Sequence, residues 1–160
     1  FGGFDENNII EMVLNELVNR NRKIVTKIIL GPSTKKSKNL LKLIKKGKDH
    51  VSIINSTSNM KKEISTVKVG LCSGGITTYE FASQGVYFGI ICQEHHQLTT
   101  AKEWEKKKMG INLGIVSNQT PKRIEKFLHL VSNEKKIIKK NLVFDGSGMK
   151  RVTEEILKIC

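Results

Sequence analysis

The sequence predicts an α/β fold in which a sheet of parallel strands carries helices on both faces. Short β-branched runs alternate with longer segments of helical period along the chain. The strand runs are apolar almost throughout, rather than at every second residue, as expected of strands covered on both sides. Glycine pairs fall where strands give way to helices, and in such sheets ligands bind beyond the carboxyl ends of the strands. The predicted site therefore lies on the strand-to-helix turns.

Taken in order, Ile10, Val13, Leu14 and Leu17 have the i, i+3, i+4, i+7 spacing of a core-facing helix, with Asp5 placed to cap it. Ile24 to Leu30 predicts a strand that stops at Gly31 and Pro32. The helix that follows holds seven lysines and no carboxylate between Lys35 and Lys48, with Leu40, Leu41 and Ile44 as its apolar face. Val51 to Ile54 is a second strand, Met60 to Ile64 a short helix, and Val67 to Leu71 a third strand ending at Ser73-Gly74-Gly75.

Beyond that turn the pattern predicts a helix over Thr77 to Ser83, a strand over Val86 to Cys92, a helix over Leu98 to Lys108 and a strand over Ile111 to Val116. Thr120 caps the next helix, which has Pro121 at its first position and Ile124, Phe127, Leu128 and Val131 on one stripe. A helical piece around Glu134 to Lys140 follows. The turn from Asp145 to Gly148 then opens a last helix through Val152, Ile156 and Ile159. At the other end, Phe1-Gly2-Gly3 reads as the turn that closes a strand whose body lies outside the 160 residues, so the chain looks like one lobe of a larger protein.

A length of 160 residues suits one domain. The sequence has no unbroken apolar run of about 20 residues, which predicts no membrane insertion. Nor do residues 1–20 show the basic start, apolar middle and small-residue cleavage site of a secretory signal, so a cytoplasmic location is expected. The formal charge of +13 raises a polyanionic partner. Only Arg20, Arg22, Arg123 and Arg151 are arginines, however, and specific base readout favours the guanidinium fork over lysine. The excess charge reads as solvated lysine faces, with no specific nucleic-acid partner.

Cys72, Cys92 and Cys160 are odd in number and lack C-x-x-C spacing, which fits reduced thiols rather than a disulfide framework or zinc knuckle. His95 and His96 are adjacent, so on an extended segment they point to opposite sides; no metal site and no cofactor are expected.

The candidate ligand-binding residues sit at the predicted turns. Gly2 with Gly3 and Gly74 with Gly75 offer bare backbone to a phosphate. Thr77 and Thr78 could donate hydroxyls to a diphosphate, and Glu80 could accept from vicinal ribose hydroxyls. Thr77-x-x-Glu80 is equally a capping box, in which both side chains would serve their own helix terminus. Gln97, after a strand end, could pair with a sugar or base, or lie in a solvated loop. Asp145-Gly146-Ser147-Gly148 reads as a turn with an N-cap, and Arg151 as a surface cation. No serine, histidine and acid set suggests a catalytic residue.

Together these segments resemble the carboxyl-terminal half of the UDP-sugar hydrolase of pseudaminic acid biosynthesis and its spore-coat-polysaccharide relatives. The resemblance runs from Gly2-Gly3-Phe4-Asp5 through Cys72-Ser73-Gly74-Gly75-Ile76-Thr77-Thr78-Tyr79-Glu80 and the Gln97 segment to Asp145-Gly146-Ser147-Gly148-Met149-Lys150-Arg151-Val152. The glycine-rich middle is shared with the wider group of two-lobed (GT-B) glycosyltransferases. The resemblance implies a Rossmann-like lobe that holds a UDP-sugar, with Gly74, Gly75, Thr77 and Thr78 near the diphosphate, Glu80 on the ribose and Gln97 on the sugar side. Ile76, Tyr79, His96 and Phe4 depart from the residues usual in that family.

The family's catalytic histidine lies in a Gly-x-Gly-His-x-x-Arg segment of the amino-terminal lobe, and that segment is not present here. The chain is expected to bind without catalysing, with the amino-terminal lobe as partner. Two other functions stay open on the sequence: a lobe of a UDP-sugar-dependent glycosyltransferase, since one fold serves both chemistries, and a non-catalytic nucleotide-sugar-binding module of a fusion protein.

Overall fold

A computed structural model describes residues 1, 5–19, 24–132 and 144–159. Gly2, Gly3, Phe4, Arg20, Arg22, Cys160 and the helical piece expected around Glu134 to Lys140 lie outside the described residues. The elements run α1 (Ile9–Val18), β1 (Thr26–Leu30), α2 (Lys38–Lys46), β2 (Val51–Asn55), α3 (Met60–Ser65), β3 (Val69–Cys72), α4 (Thr77–Ser83), β4 (Tyr87–Cys92), α5 (Gln97–Lys106), β5 (Gly110–Ile115), α6 (Thr120–Ser132) and α7 (Gly148–Leu157). The strand and helix alternation predicted from periodicity is therefore the one observed.

All strand pairs are parallel, and the fold is α/β. The hydrogen bonding divides the strands in two: β1 pairs with β2, and β3, β4 and β5 form a second sheet in that order. The sequence pattern suggested one sheet; among the described residues no ladder joins β1 to β3. Helices cover both faces. On one, α1, α2 and α6 pack Leu14, Leu17, Leu40, Ile124 and Phe127 with Leu30, Val51, Ile91 and Leu113 from the strands. On the other, α3, α4 and α5 pack Ile64, Phe81, Ala82, Ala101 and Trp104 with Cys72, Phe88, Ile90 and Cys92. Strand β4 thus sends alternate side chains into two cores, as a strand buried on both faces must.

Local chemistry sets the element ends, and several differ from expectation. Asn8, in the left-handed region at φ 52°, holds the N-cap position of α1 with no side-chain bond. Asp5 acts from outside the helix, its carboxylate accepting from the Ile9 and Ile10 N–H groups at 2.9 Å each. Strand β1 starts at Thr26, later than predicted, and Val25 before it is 90% exposed. Helix α2 is capped by Ser37, whose Oγ accepts from Leu40 N–H at 2.9 Å. Its core residues are Leu40 and Leu43, with Ile44 partly buried; Leu41 lies about 100° round the helix from Leu40 and is half exposed. Thr120 does not cap α6 as expected; its Oγ1 closes the preceding turn by accepting from Ser117 N–H at 2.9 Å.

Strand β5 carries a bulge. Ile90 faces Asn112 but Cys92 faces Ile115, so β5 holds one residue more than β4 over that interval. Gly114, at φ +79°, takes up the extra length, and its N–H donates to Asn112 Oδ1 at 2.8 Å. Arg123 of α6 ties the bulge down: its Nη1 donates to the carbonyls of Leu113 at 3.1 Å and Ile115 at 3.0 Å. Helix α7 differs from the others, burying none of its residues and exposing Met149, Val152 and Ile156. Among the described residues no helix is long and apolar enough to cross a membrane.

Candidate functional site

The carboxyl ends of β3 and β4 bring Gly74, Gly75, Thr77, Thr78, Glu80 and Gln97 to one edge of the three-stranded sheet. The turn after β3 is shaped from within. Thr78 is fully buried; its N–H donates to the Gly75 carbonyl at 3.1 Å and its Oγ1 to the same oxygen at 2.7 Å. Its hydroxyl therefore closes the turn and does not reach the surface. Gly74 is buried against α5, where an added Cβ would stand 2.7 Å from Gln97 Cβ and 2.9 Å from the Gln97 carbonyl oxygen. Close approach, not a left-handed backbone, is the reason for glycine here.

Gly75 is different. An added Cβ would meet nothing within 4 Å, and the residue is exposed. The N–H groups of Gly75 and Ile76 meet no acceptor among the described residues. Ile76, which departs from the serine usual in the resembling family, is 80% exposed beside them. The turn thus presents two adjacent amide donors and an open surface.

The capping box does not form. Helix α4 has Ile76 as its N-cap with no side-chain hydrogen bond, and Glu80 accepts none among the described residues. Glu80 is partly buried one turn into the helix. It contributes to the electrostatics of the strand end: burial first, with Glu80 and Cys92 adding to it, pushes the Cys72 thiol far above its usual range. Cys92 is likewise pushed up by burial, and both are free thiols.

Gln97 joins the turns after β3 and β4. Its Oε1 accepts from Gln93 N–H at 2.9 Å and from Gly74 N–H at 3.4 Å. Gln93, not singled out in the sequence, also donates through Nε2 to the Phe1 carbonyl at 3.2 Å. His95 and His96 are exposed on the intervening turn. Among the described residues no three His, Cys, Asp or Glu side chains come together as a metal site would require.

Next along the sheet, Gln119, Lys122, Arg123 and Lys126 line a shallow basic cleft. The sequence marked Arg123 only as a cation; Gly114, a glycine inside a strand run, was the signal that a bulge would need such a side chain. Asp145 accepts from Ser147 N–H at 2.9 Å, Ser147 Oγ at 2.6 Å and Arg151 Nη1 at 2.7 Å. The Ser147 and Arg151 bonds hold its carboxyl well below the usual carboxylate range. Asp145 is thus the centre of a closed knot just ahead of α7, whose N-cap position Ser147 holds with no side-chain cap bond. Phe144 just before it lies 6.4 Å from the Tyr79 ring and 6.2 Å from the Trp104 ring.

Parallel strands joined through helices on both faces, with polar groups gathered beyond the strand ends, define the Rossmann-like class of α/β architecture. No protein-family model matches the chain, and no curated protein matches it.

Proposed function

We propose that the chain is a nucleotide-sugar-binding lobe that takes the UDP of a UDP-sugar at the turn after β3. The observation that carries the reading is the state of Glu80: a partly buried acid that accepts no hydrogen bond among the described residues, beside an exposed turn with two amide donors that meet no acceptor among them. In this reading the Gly75 and Ile76 amides and the Thr77 hydroxyl meet the diphosphate, and Glu80 accepts from the ribose hydroxyls. Thr78 and Gln97 Oε1 are committed to internal bonds, so Thr78 shapes the turn and Gln97 addresses the sugar through its amide nitrogen.

The fuller form of the proposal rests on the resemblance. The lobe is the carboxyl-terminal half of a UDP-sugar hydrolase of nonulosonic acid or surface polysaccharide synthesis, of GT-B form, and the histidine that activates water belongs to the amino-terminal lobe. This lobe then contributes binding and electrostatic stabilisation of the departing UDP.

Calorimetric titration with UDP, with ADP as the control nucleotide, tests the site. Saturable binding of UDP with a rise in melting temperature is expected, and a weakening of both on Glu80→Gln. Equal responses to UDP and ADP, or UDP binding untouched by Glu80→Gln, overturn the assignment.

A further inference from the structure

We infer that helix α2 is a docking face for an anionic membrane surface, on which the chain lies without crossing the bilayer. The inference is independent of the nucleotide reading and starts from how charge is distributed. Lys35, Lys36, Lys38, Lys42, Lys45, Lys46 and Lys48 are interrupted by no carboxylate. Every other lysine-bearing helix among the described residues mixes the signs: Lys61 and Lys62 with Glu63 in α3, Lys102 and Lys106 with Glu103 and Glu105 in α5, Lys122 and Lys126 with Glu125 in α6, Lys150 with Glu154 and Glu155 in α7.

The charge works against the helix that carries it. Lys35, Lys36 and Lys38 stand at its amino end, where the helix dipole favours anions. Lys38 with Lys42, and Lys42 with both Lys45 and Lys46, are like charges about one turn apart, a spacing that destabilises a helix. Nothing within the molecule offsets this. Among the described residues, none of Lys35, Lys36, Lys38, Lys42, Lys45 and Lys48 makes an ion pair or a side-chain hydrogen bond. Lys46 Nζ donates to Asn19 Oδ1 at 2.8 Å. On the adjoining α1, Glu11 accepts from Ser37 Oγ and from Asn39 Nδ2, the latter at 2.6 Å, and Glu16 is partly buried. Asp49 follows the helix and is exposed. The unneutralised row calls for an anion from outside.

Geometry and composition select which anion. Leu40 and Leu43 face the core. Lys38, Lys42 and Lys45 lie on the opposite side, within about 60° of one another and over roughly 10 Å of the helix axis. All three are exposed. Leu41, 51% exposed, neighbours Lys38 three residues before it and Lys45 four residues after. Helix α2 has no arginine to fork a phosphate and no aromatic ring to stack on a base, and a phosphate backbone offers an exposed leucine no partner. A lipid surface takes both kinds of side chain: its headgroups attract the lysines, and Leu41 enters the boundary between headgroups and acyl chains.

The test measures co-sedimentation of the 160-residue chain with vesicles of phosphatidylcholine alone and of phosphatidylcholine with phosphatidylglycerol in equal parts. Binding to the anionic vesicles only is expected, weakening as salt is added. Lys38→Gln, Lys42→Gln and Lys45→Gln together are expected to weaken it on the order of a hundredfold, roughly fivefold per lysine. The same variant is expected to melt no lower than the parent, because like charges are removed. Lys61→Gln, Lys102→Gln and Lys106→Gln together remove equal charge from exposed positions on α3 and α5, across the sheet, and are expected to leave most of the binding. Leu41→Trp is expected to give a blue shift in emission on anionic vesicles alone; Trp104, the native tryptophan, is buried. Failure to bind anionic vesicles, equal losses in the two triple variants, a lower melting temperature, no blue shift, equal binding to phosphatidylcholine alone, or tighter binding to a mixed-sequence DNA duplex at the same salt overturns the inference.

Discussion

The side-chain carbonyl of Gln97 lies between the amides of Gly74 and Gln93 and holds the turns after β3 and β4 together. The same side chain fills the space in which any Cβ on residue 74 would stand, at 2.7 Å from Gln97 Cβ. Gly74→Ala is expected to destabilise the chain by about 1–3 kcal/mol, the usual cost of overpacking a closed site. Urea denaturation measures it, and a loss below that range would show that α5 gives way.

Glu80 makes no internal hydrogen bond among the described residues, so its removal has little to cost the fold. Glu80→Gln is expected to leave the denaturation midpoint nearly unchanged while weakening UDP binding by roughly tenfold to a hundredfold, the worth of hydrogen bonds to a charged acceptor. A large stability loss with unchanged affinity would assign Glu80 to the fold instead.

Arg123 is expected to behave oppositely. Through Nη1 it holds the carbonyls of Leu113 and Ile115 on either side of Gly114. Arg123→Ala should cost about 2 kcal/mol of stability, since charge-assisted bonds to partly buried carbonyls are lost. Arg123→Lys should recover only part, because an ammonium on a shorter, freely rotating stem does not hold two donors in the fixed plane of the guanidinium.

Asp145 gives a pH-dependent signature. Its folded-state carboxyl is held down, first by the bond from Ser147 Oγ, then by those from Arg151 and the Ser147 amide. A depressed carboxylate contributes order that is complete above its unfolded value and lost as pH falls through the folded one. The start of α7 is therefore expected to keep its knot below the ordinary carboxylate range, with Arg151→Met moving the titration upward. Carboxyl carbon shifts followed by NMR read both.

The helices and strands were legible because their signals are local. The 3.6-residue stripe of α6, the boundaries of α4 and the apolar run of β4 all follow from sequence spacing. Three things were not. The choice between Leu41 and Leu43 depends on which side of α2 meets α1, a tertiary fact. The inward turn of Thr78 depends on a carbonyl three residues back, and spacing cannot separate that from a ligand contact. The division of the sheet depends on which strands pair, and strands of similar apolar composition do not declare their neighbours.

That division also bears on how the molecule comes apart. Strands β3, β4 and β5 with their connecting helices form a ladder of neighbours in sequence, whereas among the described residues β1 and β2 form a ladder only with each other. The two groups of strands are therefore expected to open as two units, coupled through the helix α1 that spans them and the core that Leu30 and Val51 share with Ile91 and Leu113. Native-state exchange should fall into two classes, with β4, paired on both sides, opening last. A single class across all five strands would mean that α1 couples the halves as firmly as a ladder does.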